Sequence, residues 1–238
     1  MIEIHHVRGD GALREAYDHL YVDRPIRHSD SFYRWILSLI EPQAGQTYLD
    51  VACGQGRLSE LAAERGLRAY GSDLSISAVQ VSPEATARLL VSNGEALPFP
   101  DGLFDRLTNI GSLEHYVDPA QGLREMARVL RPDGLGCLLL PNTYSLFANM
   151  LNALHEGRTA DDGQPIQRYA ARYEWQDLIE RHGLTVLRTY KYECEWPLSW
   201  TDWQSYLRRP KALVRLLLTP FLPLNWANSF VYLVRRTR

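Results

Sequence analysis

Short apolar runs alternate with segments of helical periodicity through the middle of the chain. Gly54 ends the first run, and the turn Pro100-Asp101-Gly102 precedes the fourth, as is typical of strands bounded by turns. The run at 135–140 is continuously apolar, which predicts a strand buried on both faces. The strand candidates lie at residues 47–53, 67–71, 89–91, 104–110, 135–140, 184–190 and 230–234.

Apolar residues recur at helical spacing between and before these runs. Leu123, Met126, Ala127 and Leu130 follow the i, i+3, i+4, i+7 pattern of one helix face, and the turn at 131–134 is predicted to end that helix. Similar segments lie at 32–40, 58–62 and 175–182. Strands that alternate with helices imply βαβ units with right-handed crossovers and a parallel sheet. Residues 191–228 are rich in Trp, Pro and Arg and break the alternation, so they are interpreted as an insertion or cap.

Composition narrows the class of protein. Of the 238 residues, 45% are hydrophobic and 23% charged, which excludes a disordered tail, a fibre or a coiled coil and favours one domain. The net charge of −2 gives no general attraction to nucleic acid, so no nucleic-acid partner is expected. Cys53, Cys137 and Cys194 are too few and scattered for a disulfide framework or zinc site, and without a carboxylate cluster no metal is expected. The polar N-terminus lacks a signal core, so the cytoplasm is the predicted location.

The stretch 212–234 is long enough to raise the question of a membrane span. Arg215, two prolines and two asparagines interrupt it, whereas a spanning helix needs about 20 mostly apolar residues. The segment is therefore predicted to be buried or interfacial. Weak contact with a membrane surface through residues 212–224 stays open as part of this prediction.

The sharpest local signal is a strand that runs directly into a Gly-x-Gly turn and then a helix. Gly54 and Gly56 permit torsions and close approaches that a Cβ blocks, but such a pair can also serve only as a tight turn. Asp50 at the strand end and Asp73 after the next strand favour a ligand, because Asp73 is placed to accept hydrogen bonds from ribose hydroxyls. An adenosine-like nucleoside is thus predicted at the carboxyl ends of the strands.

Two features of the sequence favour S-adenosylmethionine over a dinucleotide as the ligand. The third glycine of a pyrophosphate fingerprint is replaced by Ser59, so that fingerprint is incomplete. Asp50 directly before the turn repels a phosphate and suits a ligand with a positive end. S-adenosylmethionine carries both an ammonium and a sulfonium.

The segment LDVACGQG at 49–56 resembles the first motif of the class I S-adenosylmethionine-dependent methyltransferases, with Ala52 in place of its first glycine. Residues 93–99 resemble the family's Asp-Ala-Glu-x-Leu-Pro-Phe, with Asn93 in place of the aspartate. Residues 104–115 and 128–134 are similar to the family's fourth strand and to the turn before its fifth. The resemblance covers 45–142 densely and 170–190 loosely, and is nearest to the quinone-methyltransferase-like branch.

The resemblance implies an α/β fold: a doubly wound, Rossmann-like, seven-stranded, mostly parallel sheet whose last strand is antiparallel. It implies a single domain with an N-terminal helical cap (1–44), a cofactor-binding core (45–142) and an acceptor side (143–238) that holds a lid, a helical and aromatic insertion and the last strands. The implied cofactor is S-adenosyl-L-methionine. Its implied contacts are Asp50, Ala52, Cys53, Gly54, Gly56, Asp73, Leu74, Asn93, Gly94, Glu95, Ile110 and, on a segment that often folds over the site in relatives, Tyr21.

The acceptor side is less defined by sequence. Contacts to a small hydrophobic acceptor are expected from Tyr33 and Trp35, from the long loop 142–169 and from the aromatic insertion at 196–206. The substrate-binding candidates are Tyr144, Tyr169, Trp196 and Trp200, and packing of the insertion is the alternative role of its tryptophans. His115, just beyond the fourth strand, is the candidate base, although it can equally cap its loop. The remaining histidines, His28 among them, are interpreted as surface or packing residues.

These features predict a methyltransferase that moves a methyl group to an O, N or C atom of a small hydrophobic acceptor. Two alternatives remain at this point. A non-catalytic protein can retain the fold and bind S-adenosylmethionine, since fold does not fix function. A NAD-dependent oxidoreductase is disfavoured by the missing third glycine.

Overall fold

The computed structural model describes residues 1–6, 27–79 and 86–237. Within these residues the strands are β1 (Ile2–His5), β2 (Thr47–Val51), β3 (Arg68–Asp73), β4 (Arg88–Val91), β5 (Phe104–Ile110), β6 (Leu130–Pro141), β7 (Ile166–Tyr169), β8 (Leu184–Tyr192) and β9 (Ser229–Arg236). The α-helices are α1 (Asp30–Leu39), α2 (Arg57–Glu64), α3 (Ile76–Val79), α4 (Pro119–Val129), α5 (Leu151–Glu156), α6 (Arg172–Arg181), α7 (Trp200–Leu207) and α8 (Pro210–Leu218). Tyr21 lies outside the described residues.

Seven strands form the central sheet in the order β4-β3-β2-β5-β6-β9-β8. Only β9 runs antiparallel to its neighbours, which confirms the predicted fold class and all seven predicted strands. The order reverses between β2 and β5, so a crevice opens at their carboxyl ends.

The sheet is covered on both faces because alternate residues of its central strands point to opposite sides. Tyr48 packs in the cluster that contains α1 and α2, whereas the next residue, Leu49, packs in the cluster that contains α4 and α6. Leu138 and Leu139 of β6 divide in the same way. The doubly wound arrangement follows from this alternation.

Two details differ from the sequence prediction. Strand β6 begins at Leu130, five residues before the predicted strand, because Leu130 already pairs with Phe104, and the predicted turn at 131–134 lies within an irregular register. In addition, β1 and β7 form a separate two-stranded antiparallel sheet that was not predicted. The predicted insertion is confirmed: it contains α7 and α8 and lies between β8 and β9.

Candidate active site

The Gly-x-Gly turn follows β2 at the switch point of the sheet. Gly54 and Gly56 have φ values of 53° and 80°, in the region that favours glycine. A Cβ on Gly56 would lie 2.4 Å from Cδ1 of Leu89, so the turn also needs glycine for space. Ala52, which stands where the family has glycine, has a φ of 58°. An alanine in this region is strained by roughly 1–2 kcal/mol.

The cleft beside this turn is lined by residues at the carboxyl ends of β2, β3, β4 and β5. Its lining comprises His28, Tyr33, Asp50, Ala52, Cys53, Gly54, Leu58, Asp73, Leu74, Ser92, Asn93, Gly94, Glu95, Ile110, Gly111, Ser112, His115, Tyr116, Val117 and Gln164. Ten of the predicted cofactor residues are therefore brought together. Gly56, the eleventh described one, supports the turn as the residue before α2 and does not line the cleft.

Asp50 is buried at the base of the cleft. Its carboxylate accepts a hydrogen bond from Thr108 Oγ1 at 2.7 Å, and no ion pair joins it to a cation of the described residues. Burial raises the pKa of Asp50 to about 7, and the nearby Asp73 adds to that increase. A positively charged group in the cleft would supply the partner that this carboxylate lacks.

Asp73 has a different environment from Asp50. Its two carboxylate oxygens accept hydrogen bonds from the backbone amides of Gly54, at 2.8 Å, and Ser75, at 3.0 Å. These bonds fix the carboxylate at the rim of the cleft and tie it to the glycine turn. Since each ionised oxygen accepts more than one bond, ribose hydroxyls can still bind there.

The loop after β4 forms the wall opposite the turn. The side-chain oxygen of Asn93 accepts the backbone amide of Glu95 at 2.9 Å, so its NH₂ group is the part that can donate to a ligand. A Cβ on Gly94 would lie 2.1 Å from the hydroxyl of Tyr116, which explains the glycine there. Tyr116 is partly buried and lines the cleft, although it was not among the predicted site residues.

His115 lies in the turn after β5 and lines the cleft, as predicted. Its Nδ1 donates to the carbonyl of Ile166, which leaves Nε2 as the acceptor, 3.8 Å from a carboxyl oxygen of Glu114. Burial lowers the pKa of His115, so the ring is neutral at pH 7. Burial also raises the pKa of Glu114 to about 8, and its Oε2 is buried without a partner among the described residues.

His28 packs against the ring of Phe32 at a centroid distance of 4.2 Å, as a packing residue would, but it also lines the cleft, which was not predicted. Its Nδ1 lies 3.0 Å from Oε1 of Glu195, and the same oxygen accepts the backbone amide of Ser29 at 3.1 Å. The backbone amide of His28 donates to the hydroxyl of Tyr33. A carboxylate–imidazole pair therefore contributes to the cleft, with His28 in its lining.

The arrangement agrees with the relatives found by sequence comparison. Residues 49–138 match the family described as a methyltransferase domain. These residues belong to the methyltransferase domain family. They include both Asp50 and Asp73 and the whole of the glycine turn.

Individual relatives share the same core. The chain is 33% identical over 95 residues to a demethylmenaquinone methyltransferase from Corynebacterium kroppenstedtii, covering 40% of this chain and 42% of the relative. It is 30% identical over 188 residues to an uncharacterized methyltransferase from Mycobacterium tuberculosis, covering 77% and 66%. Alignment thus spans about two fifths of the length of the demethylmenaquinone methyltransferases that the chain matches.

A solved structure agrees with the fold over nearly the whole chain. The 1,6-didemethyltoxoflavin-N1-methyltransferase of Burkholderia thailandensis, solved with its substrate and S-adenosylhomocysteine, superposes with a TM-score of 0.64 at 18% identity, covering 96% of this chain and 88% of that one.

The four predicted substrate-binding residues do not line the cleft of this methyltransferase domain. Tyr169 is buried in β7, where it pairs with Ile2 of β1. Tyr144 is exposed, and Trp196 and Trp200 on the insertion are 55% and 69% exposed. The aromatic composition of these segments was visible in the sequence, but the direction of each side chain was not.

Residues outside the predicted cofactor set also line the cleft. Tyr33, from the predicted acceptor set, and Gln164, from the predicted loop, both line it, whereas Trp35 packs against the rings of Tyr190 and Tyr192 and does not. Val117, Ser112 and the two imidazoles belong to the same lining. Burial raises the pKa of Tyr33 to about 12, so its hydroxyl stays protonated.

Proposed function

We propose that this chain transfers a methyl group from S-adenosylmethionine to an O, N or C atom of a small hydrophobic acceptor. The observation that carries the proposal is Asp50, a buried carboxylate at the switch point that faces the cleft without a cationic partner among the described residues. A pyrophosphate would meet repulsion there, whereas the ammonium of S-adenosylmethionine would complete an ion pair.

The residues of the cleft fit this cofactor from end to end. Asp50 and the turn at 52–54 would hold its amino-acid part, Asp73 its ribose, and Leu74, Asn93 and Gly94 its adenine. The buried hydroxyl of Ser92, which has no partner among the described residues, lies in the same lining and offers a further hydrogen bond. When bound, the cofactor supplies an electrophilic methyl group on sulfur and leaves as a neutral thioether.

The chain's own contribution is mainly to position the two reactants. Aligned reactants can gain about 7–11 kcal/mol from ordering alone. A proton must also leave when the acceptor atom is a hydroxyl or protonated amine, and neutral His115, with Nε2 unprotonated, can accept it. His28 is a second acceptor at the same end of the cleft, where Glu195 orients its ring.

Both the names of the relatives and the lining of the cleft support the proposed class of acceptor. One relative is named for demethylmenaquinone and the superposed structure for a small heteroaromatic compound, so both names point to small cyclic acceptors. The lining of this cleft includes aromatic and aliphatic side chains together with two imidazoles, which suits such a compound. We further propose that the protein acts in the cytoplasm, where its three free cysteines remain reduced.

Isothermal titration calorimetry tests the cofactor first. S-adenosylmethionine and S-adenosylhomocysteine should bind with one site each, and NADH should not bind. Binding of NADH in place of both would overturn the proposal in favour of an oxidoreductase.

Tritiated methyl transfer then separates an enzyme from a binding protein. The full chain is incubated with methyl-labelled S-adenosylmethionine and a panel of quinols, heteroaromatic amines, hydroxylated prenyl compounds and carboxylates. Label in an extracted product, together with S-adenosylhomocysteine, supports the proposal. Tight cofactor binding without transfer to any member of the panel supports the non-catalytic alternative.

A further inference from the structure

The insertion between β8 and β9 exposes an unusual amount of apolar surface. Ten large apolar side chains in residues 196–226 are exposed, and we call these ten the insertion surface. Its members are Trp196, Leu198, Trp200, Trp203, Leu207, Val214, Leu217, Leu218, Phe221 and Trp226. Patches of this kind on a single protein mark an interaction site or a membrane contact.

The exposure follows helical periodicity and is therefore a property of whole helix faces. Trp200, Trp203 and Leu207 are spaced by three and four residues on α7, so they share one face, and all three are exposed. Val214, Leu218 and Phe221 repeat this spacing from α8 into the following turn, and Phe221 is 84% exposed. A surface helix of a globular protein normally turns a polar face to water.

These helices already use another face to pack on the domain. Tyr206 of α7 and Leu216 of α8 are buried, and the Tyr206 hydroxyl donates to the carbonyl of Glu195. Arg215 of α8 forms an ion pair with Glu193, which also accepts the backbone amide of Asn228. The insertion surface is thus a second apolar face on helices that are anchored elsewhere.

The charge of the insertion has the opposite sign to that of the chain. Residues 193–228, between β8 and β9, contain four cationic residues and three carboxylates, a net charge of +1, whereas the whole chain has a net charge of −2. Arg208, Arg209 and Lys211 lie between the two apolar helix faces and form no salt bridge within the described residues. Of the three carboxylates, Asp202 already accepts bonds from Ser31 and Ser199.

We propose that the insertion surface docks on an anionic lipid membrane, with α7 and α8 lying in the interface. Tryptophan favours the headgroup level of a bilayer, and four of the six tryptophans of the chain belong to this surface. Leucine and phenylalanine enter the acyl boundary while arginine and lysine bind the phosphates. No helix among the described residues is long and apolar enough to cross a membrane, so the contact stays on one leaflet.

Charge decides between a membrane and a second copy of this chain. Two copies that met through the insertion surface would bring two sets of these three cationic side chains together, whereas an anionic bilayer offers the complementary charge. The surface also begins one residue after Glu195, whose carboxylate bonds to His28 in the cleft. Docking therefore places the acceptor end of the cleft close to the lipid.

Vesicle flotation of the full chain tests the docking without any cofactor or acceptor, so its outcome is independent of the proposed methyl transfer. Vesicles of equal parts phosphatidylglycerol and phosphatidylcholine are compared with pure phosphatidylcholine in 0.1 M salt. Each cationic residue near the surface is worth about fivefold in affinity, so three give about a hundredfold preference for the anionic vesicles. Equal binding to both, or binding to neither, would overturn the proposal.

Exposed residues supply the variants, because their replacement leaves the core intact. The double variant Leu217→Ser with Phe221→Ser should weaken binding to anionic vesicles at least tenfold. The matched control, Leu154→Ser with Tyr173→Ser, removes two other exposed apolar side chains and should bind as the unaltered chain does. Light scattering gives the competing outcome: a dimer that the first variant dissolves, without vesicle binding, would assign the surface to a second copy.

Discussion

The two ends of the cleft are held together in different ways. At the cofactor end, Asp50 and Asp73 lie in strands, and Ile110 ends one. At the acceptor end, His28 is held by Glu195, which is 167 residues away in sequence, and His115 by the carbonyl of Ile166. The residues of the first end are placed by the strands of the central sheet that carry them, and those of the second by side-chain contacts between segments distant in sequence.

This difference explains why only the cofactor end could be predicted from the sequence. A carboxylate at the end of a buried parallel strand must emerge at the carboxyl edge of the sheet, so strand assignment is sufficient to place it. Trp196 and Trp200 lie on an insertion whose packing depends on α1 and β9, and nothing in their local pattern gives their direction. The comparison therefore predicts large effects from cofactor-end substitutions on cofactor binding, and small ones from acceptor-end substitutions.

The largest effect is expected from Asp50→Asn. Loss of one partner of a buried ion pair costs about 3–5 kcal/mol, so calorimetry should show S-adenosylmethionine affinity reduced by at least a hundredfold. The same substitution should stabilise the unliganded protein at pH 8, because it removes a buried, unpaired charge. The shift of the Asp50 pKa from 3.8 to about 7 sets an upper bound of about 4 kcal/mol on that gain.

Asp133→Asn is the control for the loss of one negative charge. The Asp133 side chain is exposed in the segment between α4 and the paired part of β6, away from the cleft. Neither cofactor affinity nor stability should change measurably. Unaltered affinity in Asp50→Asn would place the cofactor ammonium elsewhere and would break the contrast between the two ends.

The pH dependence of cofactor binding gives the next largest effect. In the unliganded protein Asp50 is protonated below a pKa of about 7, while an ammonium partner favours its ionised form. Affinity should therefore fall about tenfold for each pH unit below 7 and level off above it. Titrations in buffers of different ionisation enthalpy should show proton release on binding at pH 6, and an affinity that is flat from pH 5.5 to 8 would contradict this.

The stability of the unliganded protein should also depend on the protonation of Asp50, but it should fall as the pH rises, whereas cofactor affinity increases. Because the folded-state pKa of Asp50 exceeds the unfolded value, the folded chain binds the additional proton between about pH 4 and pH 7. The contribution of Asp50 to stability is thus present at low pH and is lost as the pH rises through 7. Asp50→Asn should abolish this contribution, which chemical denaturation at several pH values can measure.

The fold itself was predictable to the level of strand number and direction. The apolar runs and the turn residues beside them were clear for β2, β5 and β6, since each of these strands is buried on both faces. The small sheet of β1 and β7 escaped prediction because each strand has four residues and its partner is more than 160 residues away. Tyr116 was not predicted as a cleft residue for a related reason, since its position against Gly94 depends on the packing of two loops.

Glu195→Gln tests the acceptor end, where the comparison predicts a smaller effect on cofactor binding. The substitution keeps the shape but weakens the bonds to the His28 ring and the Ser29 amide, which should lower stability by about 1 kcal/mol. Affinity for S-adenosylmethionine should stay within twofold of that of the unaltered chain. A loss of affinity comparable to that of Asp50→Asn would show that the two ends of the cleft are coupled and do not act separately.

Ala52→Gly should give the smallest effect and the only gain at the glycine turn. Ala52 has a φ of 58°, and glycine removes roughly 1–2 kcal/mol of strain while losing part of this through greater freedom in the unfolded chain. We expect a net stabilisation of about 1 kcal/mol, which for a chain of this size raises the Tm by roughly 2–4 °C. Ala63→Gly, inside α2, is the matched control and should instead destabilise by about 1 kcal/mol. A gain of stability in Ala52→Gly and a loss in Ala63→Gly would locate the strain in the backbone of the turn. Equal losses of stability in the two variants would mean that Ala52 stabilises the cofactor end through its methyl group.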